Sequence, residues 1–94
     1  MRGARIVYAR SWQSLEHYGN ATLAASKRAR YVDWRVDERL LGLGDGARLM
    51  HAMPVRRNVE VTDEVLDGPR SLLVTQARNR LFSQMALLAN VLRR

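Results

Sequence analysis

The stretch spanning residues 48–80 constrains the fold most strongly, because short apolar runs alternate there with helical segments. A strand is predicted up to about residue 50, a capped helix after Thr62, a second buried strand at residues 72–74, and a long helix beyond it. Alternating strands and helices are typical of α/β folds with a parallel sheet. Such sheets bind small anionic ligands beyond the carboxyl ends of their strands and at helix N-termini. We therefore expect an anion site here.

The preceding half of the chain completes this pattern. Residues 4–9 are apolar and β-branched and predict a strand whose carboxyl end faces the same edge as His51. Residues 14–35 indicate a surface loop or a weak helix, whereas residues 31–36 are predicted to be extended. Asp37 has the character of an N-cap, and it predicts a short helix up to residue 43.

The final helix is predicted from about Gln76 to residue 92. Helical spacing places an apolar face toward the core, made of Ala77, Leu81, Met85, Leu88 and Leu92. Arg78 and Arg80 fall in its predicted first turn, where cations oppose the helix macrodipole. A bound anion would explain them.

Composition excludes several classes of protein. The 94 residues are 47% hydrophobic and 27% charged, which is ordinary for a folded globular chain. The absence of cysteine excludes disulfides and thiolate catalysis. No apolar run approaches the ~18 residues of a membrane span, and the N-terminus lacks a signal-peptide core, so we expect a cytoplasmic protein.

The net charge of +7 raises the possibility of nucleic-acid binding. However, the sixteen basic residues are dispersed along the chain, and their few clusters have no interleaved aromatic residues. We therefore expect a solvated basic surface rather than a nucleic-acid interface. Nucleic-acid binding is kept as an alternative hypothesis for the function.

Three ordered motifs give the chain a family resemblance. His51-Ala52-Met53-Pro54, then Thr-Asp-Glu-Val at residues 62–65, then Arg-Asn-Arg-Leu at residues 78–81 resemble the C-terminal end of ornithine carbamoyltransferases. Those enzymes have His-Cys-Leu-Pro, Thr-Asp-Glu-Val and Glu-Asn-Arg-Leu at comparable spacing. Tyr-Ala-Arg-Ser-Trp at residues 8–12 is most similar to Tyr-Ala-Lys-Ser-Trp of the N-acetylornithine branch.

The resemblance implies a partial domain. Residues 1–94 would be the C-terminal half of the amino-acid-binding domain, an α/β fold that is part of a doubly wound parallel sheet with flanking helices. The carbamoyl-phosphate-binding domain would be absent. The alternative is a complete small α/β protein that merely resembles the family.

The resemblance also implies a site without metal or cofactor. The residues implied in binding carbamoyl phosphate are His51, Ala52, Met53 and Arg80. Those implied in binding the amino-acid substrate are Arg10, Ser11, Trp12, Met53 and Pro54. Two of these keep a structural alternative: His51 as a buried structural histidine and Trp12 as an aromatic packed under a loop.

Several positions depart from the family pattern. Ala52 replaces the motif's cysteine, and Arg10 replaces a lysine, which keeps the charge but presents a planar fork suited to carboxylates. Gln13 replaces a glycine, Arg78 a glutamate and Met85 a lysine.

The function implied is transfer of a carbamoyl group from carbamoyl phosphate to the δ-amine of ornithine or an N-acylated ornithine, in arginine biosynthesis. The chain alone is expected to be inactive, and its expected partners are the missing N-terminal domain or homologous subunits of a family that is typically homotrimeric. The alternative is a non-catalytic remnant that binds an amino acid or docks onto full-length subunits.

Overall fold

The computed structural model describes residues 1–93 as a mixed α/β chain. Its elements follow in the order β1 (Ile6–Ala9), a 3-10 turn (Leu15–His17), α1 (Ala21–Ala29), α2 (Glu38–Gly42), β2 (Arg48–His51), α3 (Asp63–Asp67) and α4 (Leu73–Leu92). This order confirms the predicted fold class, a parallel sheet with flanking helices, of which a small part is present.

Strand β2 is paired on both of its sides. It lies parallel to β1, with Ala9 opposite His51 at the carboxyl ends. On the other side, the Leu49 N–H donates to the Arg70 carbonyl, and the Leu49 carbonyl accepts from the Leu72 N–H, both at 2.9 Å. The loop after β1, the turn after β2 and the start of α4 therefore all lie at the same edge of the sheet.

The hydrophobic core lies between this sheet and the short helices. Its side chains come from α2, β2, α3, the start of α4 and the segments that join them: Val36, Leu41, Ala47, Leu49, Val61, Val65, Leu66 and Leu73. Leu41, Leu49, Val61 and Val65 are fully buried.

The two short helices begin where the capping signals predicted. The Asp37 carboxylate accepts from the Leu40 N–H at 2.7 Å, which confirms the N-cap of α2. Thr62 does precede α3, but its hydroxyl makes no capping bond and is buried without a partner among residues 1–93. The side chain of Asn58 instead accepts from the Asp63 N–H at 3.0 Å.

The prediction of an extended segment at residues 31–36 is wrong for residues 31–34, which form turns, whereas Val36 does form a parallel β-bridge with Val61. The end of α1 continues into turns in which the Tyr31 N–H donates to Arg28 and the Trp34 N–H donates to Tyr31, both at 2.9 Å. These turns bring the rings of Tyr31 and Trp34 within 5.9 Å of each other, and both pack against Trp12. Contacts among the three aromatic rings thus outweigh the weak alternation of the sequence.

The predicted strand at residues 72–74 is also wrong. Ser71 forms a single β-bridge with Leu49, and α4 begins at Leu73, which is buried while Val74 is 84% exposed. Because the helix starts earlier than predicted, Arg78 and Arg80 lie in its second turn rather than its first. The macrodipole effect is confined to the first turn, so it does not account for these arginines.

The predicted core face of α4 is exposed. Leu81, Met85, Leu88 and Leu92 are 56–76% exposed, because no other part of residues 1–93 reaches them. The helix projects from the core, giving a radius of gyration of 16.5 Å, where a compact chain of this length has about 12–13 Å. None of the helices in residues 1–93 combines the length and apolar composition that crossing a membrane requires.

An exposed ionic network holds α3 onto the segment before it. The Arg57 guanidinium donates to Asp63 at 2.7 Å and to both carboxylate oxygens of Asp67 at 2.8 and 2.9 Å. These hydrogen bonds lower the pKa of both aspartates below the ordinary value of 3.8. The Asn58 side chain adds a second bond that lowers the pKa of Asp63.

This network predicts a loss of stability in acid. A carboxylate whose folded pKa is lowered contributes stability above its unfolded pKa, and that stability is lost as the pH falls through the folded value. The urea midpoint should therefore fall between about pH 5 and about pH 3, and by less in Arg57→Met than in the wild type. Arg39→Met is the control, because that side chain is 85% exposed and lies 3.9 Å from Asp37. Equal acid sensitivity in all three proteins would contradict the prediction.

Truncating a side chain of the hydrophobic core and truncating one on the exposed face of α4 should change the free energy of unfolding by different amounts. Leu49→Ala empties a fully buried position and should lower the free energy of unfolding by about 2–5 kcal/mol. Leu88→Ala removes the same atoms from a side chain that is 59% exposed and should change it by less than about 0.5 kcal/mol. Urea denaturation of both variants at low protein concentration is the measurement. A large loss in Leu88→Ala would show that the outer face is packed.

Candidate functional site

A pocket of about 470 Å³ opens at the carboxyl edge of the sheet, between the turn after β2 and the first turns of α4. Its volume is within the range of small-ligand sites, about 300–1,000 Å³. The lining side chains come from β1, β2, the turn and α4: Tyr8, Met50, His51, Ala52, Met53, Gln76, Ala77, Asn79, Arg80 and Ser83. The predicted carbamoyl-phosphate residues, 51–53 and Arg80, thus lie on the same pocket.

His51 organises the turn from beneath. The residue is 2% exposed, and its Nδ1 accepts from the Met53 N–H at 3.0 Å. An accepting Nδ1 places the ring hydrogen on Nε2, and that atom is buried without a partner among the described residues. Met53 has a φ of 52°, so the turn departs from ordinary backbone conformations. These contacts favour the structural alternative for His51.

Gln76 ties the helix to both strands. Its Oε1 accepts from the His51 N–H at 3.0 Å, and its Nε2 donates to the Tyr8 hydroxyl at 3.1 Å. One amide side chain therefore fixes α4 against the carboxyl ends of β1 and β2. The pocket depends on that fixed separation.

Arg80 gives the pocket its charge. No carboxylate is among the pocket's lining residues, and Arg80 makes no ion pair within residues 1–93. The N–H groups of His51 and Met53 are already engaged, whereas the carbonyls of Ala52 and Met53 accept no hydrogen bond from the described residues. The pocket thus combines one cation with free backbone acceptors.

The predicted amino-acid-binding residues lie beside this pocket rather than in it, apart from Met53. Arg10 and Trp12 line a separate cavity of about 240 Å³, together with Trp34, Arg35 and the buried Glu60. The Ser11 hydroxyl donates to the Pro54 carbonyl at 3.3 Å, which links the loop after β1 to the turn after β2.

Sequence reasoning kept both alternatives open for Trp12. Its ring centroid lies 6.1 Å from that of Tyr31 and 5.6 Å from that of Trp34. Its Nε1 is buried without a partner among residues 1–93. The ring therefore packs under the loop, while part of it still borders the adjacent cavity.

Several lining residues were not predicted. Gln76, Asn79 and Ser83 are among them, and together with the predicted Arg80 they lie at helical spacings of three and four residues and form one polar face of α4. That spacing is visible in the sequence. The apolar residues of the same helix, however, predict a face that packs against the core, and this pattern obscures the polar face. Tyr8 carried no comparable signal. No group of three or more potential metal ligands occurs among residues 1–93.

The chain matches a known protein family over almost its whole length. Residues 1–91 match the family model described as aspartate/ornithine carbamoyltransferase, Asp/Orn binding domain. An N-acetylornithine carbamoyltransferase of Xylella fastidiosa (strain 9a5c) is 41% identical over 88 residues, which are 94% of this chain and 26% of that protein. The chloroplastic ornithine carbamoyltransferase of Pisum sativum is 40% identical over 93 residues, 98% of this chain and 24% of that protein.

A solved structure is similar as well. The crystal structure of an acetylornithine transcarbamylase complexed with acetylcitrulline superposes with a TM-score of 0.78 at 39% identity, covering 95% of this chain and 27% of that one. The chain therefore spans about a quarter of the length of the relatives it matches.

The parallel sheet edge and its arginine-bearing pocket are typical of open-sheet α/β folds, which bind ligands beyond the carboxyl ends of their strands. With the family match over nearly all of its length, the chain belongs to the aspartate/ornithine carbamoyltransferase family, and the homologous segment is the Asp/Orn-binding domain. Its named relatives are transferases.

The role of Gln76 can be tested by substitution. Gln76→Leu leaves the His51 N–H and the Tyr8 hydroxyl without their partner, so the free energy of unfolding should fall by about 1–3 kcal/mol. Gln84→Leu, on an exposed turn of the same helix, is the matched control and should be nearly neutral. Urea denaturation measures both, and equal effects would contradict the assignment.

Proposed function

We propose that this chain supplies the amino-acid-binding side of a carbamoyltransferase site, which transfers the carbamoyl group of carbamoyl phosphate to the δ-amine of an ornithine-type substrate. The observation that supports it is the convergence of Arg80 and the turn at residues 51–53 on one pocket without a carboxylate. Such a pocket favours a phosphorylated ligand, because a guanidinium binds phosphate oxygens through charge-assisted hydrogen bonds.

In this proposal the residues of the pocket position and neutralise rather than react. The deprotonated δ-amine attacks the carbonyl carbon and a C–N bond forms, while the bond from that carbon to the phosphate oxygen breaks. One proton passes from the attacking nitrogen to the leaving phosphate, which departs as inorganic phosphate. Arg80 stabilises the charge that develops on the leaving phosphate. The free carbonyls of Ala52 and Met53 accept from the carbamoyl NH₂ and orient it for attack.

The amino-acid substrate would lie along the loop after β1. Arg10, Ser11, Trp12, Met53 and Pro54 remain the proposed binding residues, and the hydrogen bond from Ser11 to Pro54 supports a shared site. The similarity to N-acetylornithine carbamoyltransferases, one of them complexed with acetylcitrulline, supports an N-acylated ornithine as the acceptor. We further propose that the protein acts in arginine biosynthesis, that it is located in the cytoplasm, and that the complete enzyme is a trimer.

The chain alone would be inactive. The pocket offers one arginine and a few backbone acceptors, whereas a carbamoyl phosphate dianion needs several donors held around it. The proposed domain, residues 1–94, is the C-terminal half of the amino-acid-binding domain, and a second polypeptide or subunit would carry the carbamoyl-phosphate domain.

A non-catalytic role is the second candidate. The exposed apolar face of α4 favours it, because a surface of this kind is typical of an interface with another protein. In that case the chain would dock onto full-length subunits and bind an amino acid without turning over carbamoyl phosphate.

One reconstitution experiment separates the two candidates. The chain is mixed with the N-terminal three quarters of the Xylella fastidiosa relative, and formation of citrulline-type product from carbamoyl phosphate is assayed with ornithine and N-acetylornithine. Turnover in the mixture, absent from either part alone, supports the transferase. Co-elution on size exclusion without turnover supports the docking role and contradicts the transferase.

Arg80 provides the finer test in the same mixture. Arg80→Gln should weaken carbamoyl phosphate binding by about 10- to 100-fold, because a charge-assisted hydrogen bond is lost from the pocket. Arg78→Gln is the matched control, since Arg78 is exposed, lies on the same turn and does not line the pocket; we expect a change of less than about twofold. Equal losses in the two variants would mean that only long-range charge matters.

A further inference from the structure

Two consecutive arginines, Arg56 and Arg57, have entirely different surroundings. Arg57 donates hydrogen bonds to the exposed Asp63 and Asp67 and holds α3 against the segment before it. Arg56 points the other way, into contact with Glu60 and with the loop after β1. The second arrangement belongs neither to the hydrophobic core nor to the main pocket.

Glu60 is an acidic residue buried to an unusual degree. It is 3% exposed, and both of its carboxylate oxygens are occupied by Arg56. Its Oε2 accepts from the Arg56 N–H at 2.6 Å and its Oε1 accepts from Arg56 Nε at 2.7 Å, while Arg56 Nη2 lies 2.5 Å from Oε1 as part of the ion pair. A buried carboxylate is tolerated only when it is paired and hydrogen-bonded in this way. The orientation of the guanidinium is consequently fixed.

The fixed guanidinium reaches a distant part of the chain. Arg56 Nη2 donates to the Trp12 carbonyl at 2.7 Å, across 44 residues of sequence. The residues between β1 and the 3-10 turn have no regular secondary structure. Two hydrogen bonds tie residues 10–13 to the segment just beyond the pocket turn, this one and the bond from Ser11 to Pro54, and the next residue, Ser14, accepts from Lys27 Nζ at 3.2 Å.

We propose that the Arg56–Glu60 pair is a positioning unit that holds the loop of residues 10–13, and with it Arg10 and Trp12, in register with the pocket. The inference rests on the proposed function for the identity of the ligand that the loop meets. The pair touches no reacting atom. It acts through the Trp12 carbonyl. In this way it sets the distance between the loop of residues 10–13, which meets the amino-acid substrate, and the pocket with Arg80, which meets the phosphate.

The binding test compares Arg56→Lys with Arg57→Lys in the reconstituted mixture. Lysine keeps the charge, but it lacks the fork that contacts Glu60 and the Trp12 carbonyl together. Arg56→Lys should raise the dissociation constant of N-acetyl-L-norvaline, which lacks the reacting amine, about tenfold while changing that of carbamoyl phosphate less than about twofold. Arg57→Lys should change neither.

Two outcomes of this titration would overturn the proposal. One is an unchanged affinity for the norvaline derivative in Arg56→Lys. The other is an equal loss for both ligands, since that would indicate a general loss of folded protein. Glu60→Gln, which keeps the shape and removes the charge, should repeat the ligand-specific loss.

A second measurement on the chain itself does not depend on any ligand. In the Trp34→Phe background, Trp12 is the one remaining tryptophan, and acrylamide quenching of its fluorescence reports how firmly the loop is held. Adding Arg56→Lys should increase the quenching constant about twofold as the half-buried ring is released, whereas adding Arg57→Lys should not. If the wild-type mixture binds neither ligand, the proposed function fails. The positioning role is then decided by quenching, and an unchanged constant would overturn it.

Discussion

The pairing of β2 on both of its sides is the constraint on which the rest of the structure depends. Leu49 is fully buried between β1 and the segment of residues 70–72, and its N–H and carbonyl both bond to that segment. Parallel strands bring their carboxyl ends to one edge. The loop after β1, the turn after β2 and helix α4 therefore begin side by side, and the pocket exists because three chain segments separated in sequence start at one edge.

The sequence allowed this edge to be predicted, because its signals are local. Turn and cap residues such as Pro54, Asp37 and Thr62 mark where elements begin or end, and two of the three family motifs, at residues 51–54 and 62–65, lie at such points. Residues 72–74 were misassigned because three apolar residues in succession suit a strand and a buried helix start equally well. Residues 31–34 were misassigned because contacts of Tyr31 and Trp34 with Trp12, 19 and 22 positions away, decide their conformation.

Some residues of the candidate site could be predicted from the sequence and others could not. Arg80 and residues 51–53 were predictable because they lie in the motifs that carry the family resemblance, although Arg80 lies in the second turn of α4 rather than the first. Gln76 was not, since its importance comes from contacts with Tyr8 and His51 that only the folded chain reveals. The neighbouring arginines Arg56 and Arg57 are the extreme case. Identical residues in adjacent positions, they bind acids on different segments, and no local pattern separates them.

The apolar side of α4 governs how the chain behaves in solution. Large apolar side chains on the outer turns favour contact between molecules, and the net charge of +7 opposes it. Dissolved salt screens that repulsion beyond about 8–10 Å at physiological ionic strength, while leaving the hydrophobic attraction intact. Colloidal stability of the isolated polypeptide is consequently greatest in dilute buffer, and kosmotropic salts drive it toward self-association.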